Sequence, residues 1–125
     1  MKRLLADIAH ARSGDKADRA DIGVFAWDDA GYQVLAQALT AQRVAEHFAH
    51  LIGSDTSRVR RYALPGLLAL KFVVDGALGG GAAHSLRSDN LGKTIAAQLL
   101  RMELELPDAE ARAALAGAQT ALERF

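Results

Sequence analysis

Two short stretches concentrate the residues that can do chemistry. The first is His10-Ala11-Arg12-Ser13-Gly14-Asp15-Lys16. Arg12 can fork onto a carboxylate or phosphate through two parallel N–H bonds, and Lys16 can add a point charge. Ser13 and Lys16 also have the Ser-x-x-Lys spacing that sets a serine nucleophile beside a lysine in penicillin-recognising enzymes. Those enzymes are longer and carry further signatures absent here. The preferred reading is therefore a loop in which Arg12, Ser13 and Lys16 grip an anion and Asp15 orients Lys16. The plain alternative is a solvated loop whose Asp–Arg and Asp–Lys pairs satisfy one another.

The second stretch runs from Gly76 to Arg87, Gly-Ala-Leu-Gly-Gly-Gly-Ala-Ala-His-Ser-Leu-Arg. Four of the chain's 11 glycines fall between Gly76 and Gly81. Glycine permits φ > 0 and close backbone approach, at a cost in chain entropy. Successive N–H groups at Gly79, Gly80 and Gly81 can form a nest for an anion, with Ser85 and Arg87 beside it. A tight corner after a buried strand is the plain alternative. The run from Arg87 to Thr94 approaches the phosphate loop Gly-x-x-x-x-Gly-Lys-Ser/Thr, but Arg87 stands where the first glycine is required. Nucleoside triphosphate hydrolysis is therefore not expected.

Each stretch carries a histidine, His10 and His84, able to act as acid or base near neutral pH. If both stretches lie at one end of a sheet, the two histidines approach Arg12 and Arg87. His47 and His50 are three apart on a predicted helix, a spacing that can present two metal ligands. No third ligand is evident, and histidine near a helix C-terminus is favoured by the helix dipole alone. Neither a metal nor a cofactor is expected.

The elements that must position these stretches come from periodicity. Arg3–Ala9 is a short apolar run that predicts a first strand, and His10–Ala20 a polar loop. Asp21–Trp27 is aromatic and β-branched and predicts a second strand. Asp28–Gly31 is a turn. From Tyr32 the period becomes helical, with Leu35 and Leu39 four apart. Thr40 is a candidate N-cap for a second helix carrying Val44, Phe48 and Leu51, and Gly53 is its stop. Arg58–Ala63 predicts a charged edge strand, since charge there discourages edge pairing. After the turn at Leu64-Pro65-Gly66, Leu67–Val74 predicts a central strand interrupted by Lys71. Beyond the glycines, Asp89 or Asn90 caps a helix to Leu100, and Met102–Leu106 alternates as a last strand. An Ala-rich helix closes the chain at about residues 108–124. The set is α+β: a mostly antiparallel sheet with helices on one face and an extra C-terminal helix. A ferredoxin-like sandwich is the nearest small fold.

At 125 residues the chain is expected to form a single domain, with a core over about residues 4–106. Fifteen basic residues balance fifteen acidic ones, which argues against a nucleic-acid partner. There is no cysteine, hence no thiolate chemistry, and this fits a reducing, cytoplasmic setting. No run approaches the ~18 apolar residues of a membrane span, and no secretory signal is evident. A small sheet with an exposed edge and a thinly apolar last helix predicts a homodimer.

The same two stretches resemble a known family. His10–Lys16 followed by Asp21-Ile22-Gly23-Val24 looks like the start of the small C-terminal domain of acyclic-terpene-utilisation (AtuA-like) proteins. Gly76–Gly81, with Ser85-Leu86-Arg87, Asp89, Gly92 and Lys93, looks like that family's second signature. Leu39-Thr40-Ala41, Arg43-Val44 and Tyr62-Ala63-Leu64-Pro65 also fit. The likeness spans roughly Leu5 to Pro107. Ala17 stands where the family usually has glycine, and His84 where it varies.

The resemblance implies a ferredoxin-like domain. It also implies a larger AtuA-like partner protein associated with acyl-CoA and terpenoid catabolism, because the family's domain is usually joined to, or encoded near, a much larger one. No catalytic residues are carried over by it. The expectation is an accessory domain with a two-walled site for an acyl-CoA or carboxylate. Arg12, Ser13, Asp15 and Lys16 form one wall, and Gly79, Gly80, Gly81, Ser85 and Arg87 the other. The alternatives are a small hydrolase or lyase using Ser13 with Lys16 or using His84, and an assembly module that touches no ligand.

Overall fold

Alternation of apolar and polar residues builds the main sheet. In a computed structural model, which describes residues 1–16, 18–53, 55–77 and 94–124 (position 16 by its backbone alone), four strands pair antiparallel in the order β2-β3-β5-β4. These are β2 (Ala9–Lys16), β3 (Arg19–Ala26), β4 (Val59–Leu64) and β5 (Ala69–Asp75). A second, two-stranded sheet pairs β1 (Lys2–Leu4) with β6 (Glu103–Glu105). Five α-helices, α1 (Asp29–Ala38), α2 (Ala41–His47), α3 (Ala49–Ile52), α4 (Ile95–Leu100) and α5 (Asp108–Leu122), and three short 3-10 turns join them among the described residues. The α+β class, the antiparallel sheets and the C-terminal helix are as the sequence predicts.

Side chains alternate across a strand, so each strand divides its residues between two faces. Ala20, Ile22, Val24 and Ala26 of β3 are buried, as are Leu70, Phe72 and Val74 of β5. They face the helices. Phe48, Leu35, Leu39, Ile95 and Leu99 close over them, and Leu5 and Ile8 join the same cluster. The residues between them, Arg19, Asp21, Gly23 and Phe25 on β3 and Lys71, Val73 and Asp75 on β5, form the opposite face. Among the described residues no element packs on it.

Two sequence expectations change at the N-terminus. The predicted first strand over Arg3–Ala9 is a three-residue strand, then a 3-10 turn at Leu5–Asp7, with a new strand beginning at Ala9. Leu5 and Ile8, three apart, both reach the core from that turn. The predicted polar loop from His10 is instead β2, paired residue by residue with β3 from Ala9↔Ala26 to Lys16↔Arg19. β2 is an edge strand with one partner and one wet face, so it can carry Arg, Ser, Gly and Asp without the apolar run that marks a central strand. Likewise β6 alternates as predicted, yet it joins β1 and not the main sheet.

Caps set the helix ends. Asp28 accepts from the Gly31 N–H at 2.8 Å and starts α1, so the predicted turn at Asp28–Gly31 is the first turn of that helix. Thr40 accepts from the Arg43 N–H at 3.1 Å and starts α2. Side-chain caps of this kind satisfy donors that the first helical turn leaves unpaired. Arg61, the inward-facing cation of β4, donates to the carbonyls of Leu39 and Ala36 at 3.1 and 2.9 Å, closing the C-terminal end of α1. Helix α5 lies along α1 and buries Ala111, Ala114 and Ala118. Gly117 is needed there, because a Cβ would collide with the Asp28 carboxylate that caps α1. At the far end of β5, Gly76 takes φ 79° and turns the chain out of the sheet.

Candidate functional site

The helix-free face of the sheet can be laid out row by row from the strand register. Its first row is His10, Phe25, Ala69 and Leu64, and the second is Arg12, Gly23, Lys71 and Tyr62. The third is Gly14, Asp21, Val73 and Arg60, and the fourth holds position 16, Arg19 and Asp75. One end of the face is therefore aromatic and apolar, and the other charged. At the apolar end the His10 ring stacks on Phe25 with centroids 5.2 Å apart, and lies tilted against Trp27 at 4.5 Å. Partial burial there holds the imidazole below its ordinary pKa, since the charged form loses water.

At the charged end, Lys71 Nζ lies 3.0 Å from Asp21 Oδ2. Asp75 Oδ1 is shared between Arg60 Nη2 at 3.4 Å and Arg19 Nε at 3.7 Å. Arg12 is exposed and has no carboxylate partner among the described residues. Between the two ends, Arg19, Asp21, Arg60, Lys71, Tyr62, Leu64 and Val73 line a cleft of about 480 Å³. The two pairs to Asp75 are exposed, and surface pairs of this kind contribute little to stability.

The residues expected to form the first wall are divided between the two faces. Arg12 opposes Gly23 on the open face, whereas Ser13 and Asp15 oppose Ile22 and Ala20 on the helix face. Ser13 Oγ accepts from the Ala96 N–H at 2.9 Å, tying β2 to the first turn of α4. Positions 13 and 16 differ by an odd number, so their places in β2 are on opposite faces. The same holds for Asp15 and Lys16. The Ser-x-x-Lys spacing thus does not bring a serine and a lysine together on one face of this strand.

Of the second wall, Gly79, Gly80, Gly81, Ser85 and Arg87 lie outside the described residues, as does His84. Their flanks are described. Asp75 pairs with Arg19 at the β2–β3 turn, and Gly76 and Ala77 follow directly. On return, Ala96 meets Ser13. The chain therefore leaves and re-enters the described residues in the half of the sheet that holds the β2–β3 turn. His10 does not belong to that end. It is the second residue of β2, six residues from position 16 and roughly 20 Å away at the rise of an antiparallel strand. His47 is engaged elsewhere, its Nε2 lying 2.7 Å from the Gln98 carbonyl oxygen. No cluster of three or more potential metal ligands occurs among the described residues.

Sequence inspection passed over Arg19, Arg60, Tyr62 and Lys71 as site residues. The signal was present. Lys71 interrupts the most apolar run of the chain at an outward position, and Arg60, Tyr62 and Leu64 alternate on β4. Only the register, which sets Tyr62 opposite Lys71 and Arg60 opposite Val73, gathers them into one surface.

Among the described residues no helix is long and apolar enough to cross a membrane. Neither a curated protein nor a solved structure matches the chain. The family model described as the AtuA ferredoxin-like domain matches residues 3–105, from β1 through β6, leaving α5 outside. With both sheets and four of the five helices inside that match, the chain belongs to the AtuA ferredoxin-like domain family.

Proposed function

We propose that this domain is a ligand-binding accessory module that presents an anion site to a larger partner protein of acyl-CoA or terpenoid catabolism. The ligand is an acyl-CoA or a carboxylate. Arg12 supplies a side-chain clamp from the open face. Gly79, Gly80 and Gly81 supply backbone donors, with Ser85 and Arg87 beside them. Lys16 adds charge at the β2–β3 turn. Ser13, on the helix face, ties α4 to β2 through the Ala96 N–H.

The observation that carries this reading is the convergence of both flanks of the glycine-rich segment on the end of the sheet that holds the β2–β3 turn. The Arg19↔Asp75 register and the Ser13 bond to Ala96 both support it. The commitment of the Ser13 hydroxyl to the Ala96 N–H favours binding over a serine hydrolase or lyase. Thermal shift with CoA, an acyl-CoA, phosphate and a dicarboxylate tests it. Saturable stabilisation by one of these, lost in Arg12→Ala and Arg87→Ala, is expected, because a ligand that binds only the folded state raises its stability by mass action. No shift with any of them sinks the binding reading and leaves an assembly role.

A further inference from the structure

We propose that the open face of the sheet carries a second binding site, for an amphipathic organic anion with a carboxylate head and an apolar body. The site uses Arg19, Arg60, Lys71, Tyr62, Leu64 and Val73, none of which belongs to the glycine-segment site, so it does not rest on that reading.

The cleft of about 480 Å³ is within the ~300–1,000 Å³ range of small-molecule sites. Its lining is ordered by chemistry along the strands. Leu64 stands at one end, then Tyr62 with Lys71, then Val73 with Arg60 and the carboxylate of Asp21, and finally Arg19. From the first row to the third is four residues, about 13 Å at the antiparallel rise. A ligand lying along the strands thus meets apolar side chains with its body and three cations with its head. Single exposed apolar residues are ordinary. Here Tyr62, Leu64 and Leu67 are 45%, 39% and 66% exposed within six consecutive positions at one corner.

Charge selects the occupant. Among the described side chains the face carries Arg12, Arg19, Arg60 and Lys71 against Asp21 and Asp75, an excess of two positive charges on a chain of formal net charge zero. A second copy docked face to face would set that excess against itself. A polynucleotide would meet the two carboxylates and an apolar corner. A monomeric anion can replace Asp75 between Arg19 and Arg60, or Asp21 at Lys71, while its body covers Tyr62 and Leu64.

The test titrates the full chain with decanoate, decanol and inorganic phosphate by calorimetry. Backbone amide shifts of the wild-type chain are followed alongside. The expected result is one-to-one decanoate binding, with decanol and phosphate each about tenfold weaker or worse, since each lacks one half of the recognition. Amide shifts should centre on Arg19–Asp21, Arg60–Leu64 and Lys71–Val73. Arg60→Gln with Lys71→Gln should weaken decanoate by about tenfold or more, and Arg112→Gln on α5 should not. Equal binding of decanoate and decanol overturns the proposal. So do amide shifts confined to other elements, saturable binding of polyuridylate at this face, or a dimer in which the face is already covered. Because the amide map is read on the wild-type chain, a variant that fails to fold leaves the proposal open to refutation. Decanoate binding that survives Arg12→Ala with Arg87→Ala, and amide shifts on Arg60–Leu64 and Lys71–Val73, separate this site from the one proposed above.

Discussion

The two faces of the main sheet are made by the same strands, and they differ in what their side chains are asked to do. On the helix face, Phe72, Leu70, Ile22 and Val24 are completely buried. Even the polar residues there have structural tasks: Arg61 closes α1 and Ser13 joins α4 to β2. On the open face, neighbours one residue away carry exposed cations in weak surface pairs. The lesson is that a residue's neighbours in sequence say little about its role in a strand, and its parity says much. Arg60 and Arg61 are adjacent and chemically identical, yet one belongs to the architecture and the other to the surface.

The largest effect expected from this contrast comes from Phe72 and Val73. Phe72→Ala removes a fully buried ring and leaves a cavity, which costs about 3–5 kcal/mol. Val73→Thr, on the open face, should change stability by less than about 0.5 kcal/mol. Urea unfolding of both variants measures the difference. Similar losses in the two would mean that the open face is packed against something, and the division of faces would fail.

The arginine pair is a finer test. Arg61→Ala leaves two carbonyls at the end of α1 without their charged donor and should cost about 1–2 kcal/mol. Arg60→Ala loses one exposed ion pair, worth at most about 0.5–1 kcal/mol and screened by salt. Repeating the denaturation at high salt should leave the Arg61 loss in place and erase the Arg60 loss. An Arg60 cost that persists in salt would move that residue from the surface into the architecture.

Ser13 probes the face of β2 that the sequence hid. Ser13→Ala strands the Ala96 N–H and should cost about 1 kcal/mol. Hydrogen exchange at Ala96 and along α4 should quicken at the same time. A neutral substitution with unchanged exchange would free Ser13 for a role in ligand chemistry.

How much of this was legible follows from the same physics. The strands β3 and β5 could be read because their helix faces are buried along their length, and the Ile, Val, Phe and Leu that fill them stand out. The caps at Thr40 and the stop at Gly53 could be read because they depend only on local chemistry, and the structure shows Thr40 bonded to Arg43 and Gly53 at φ 69°. β2 was hidden. Its inward residues Ala11, Ser13 and Asp15 are small or polar, so no apolar alternation marks an edge strand whose inner face is partly covered by α4. The site on the open face was hidden for a different reason. Its residues come from the β4–β5 hairpin and from β3, far earlier in the chain, and only pairing register sets Tyr62 opposite Lys71 and Asp21 opposite Val73.

His10 sharpens the comparison last, at the one corner of the open face that is not simply wet. Its ring stacks on Phe25 and lies tilted against Trp27, and burial holds its pKa below the ordinary 6.5. The unfolded chain therefore binds the proton more readily than the folded one. As pH falls through 6.5 toward the lowered folded value, the unfolded state gains protons first and stability declines. Above 6.5 both states are neutral and His10 contributes no pH dependence. The effect is the smallest of the series, because the ring remains largely exposed. Denaturation midpoints measured from about pH 8 down to about pH 5 should fall more for the wild-type chain than for His10→Gln, which lacks the titrating ring. Parallel curves for the two would mean that the imidazolium is as well solvated in the fold as outside it, and that this corner of the face is as wet as the charged end.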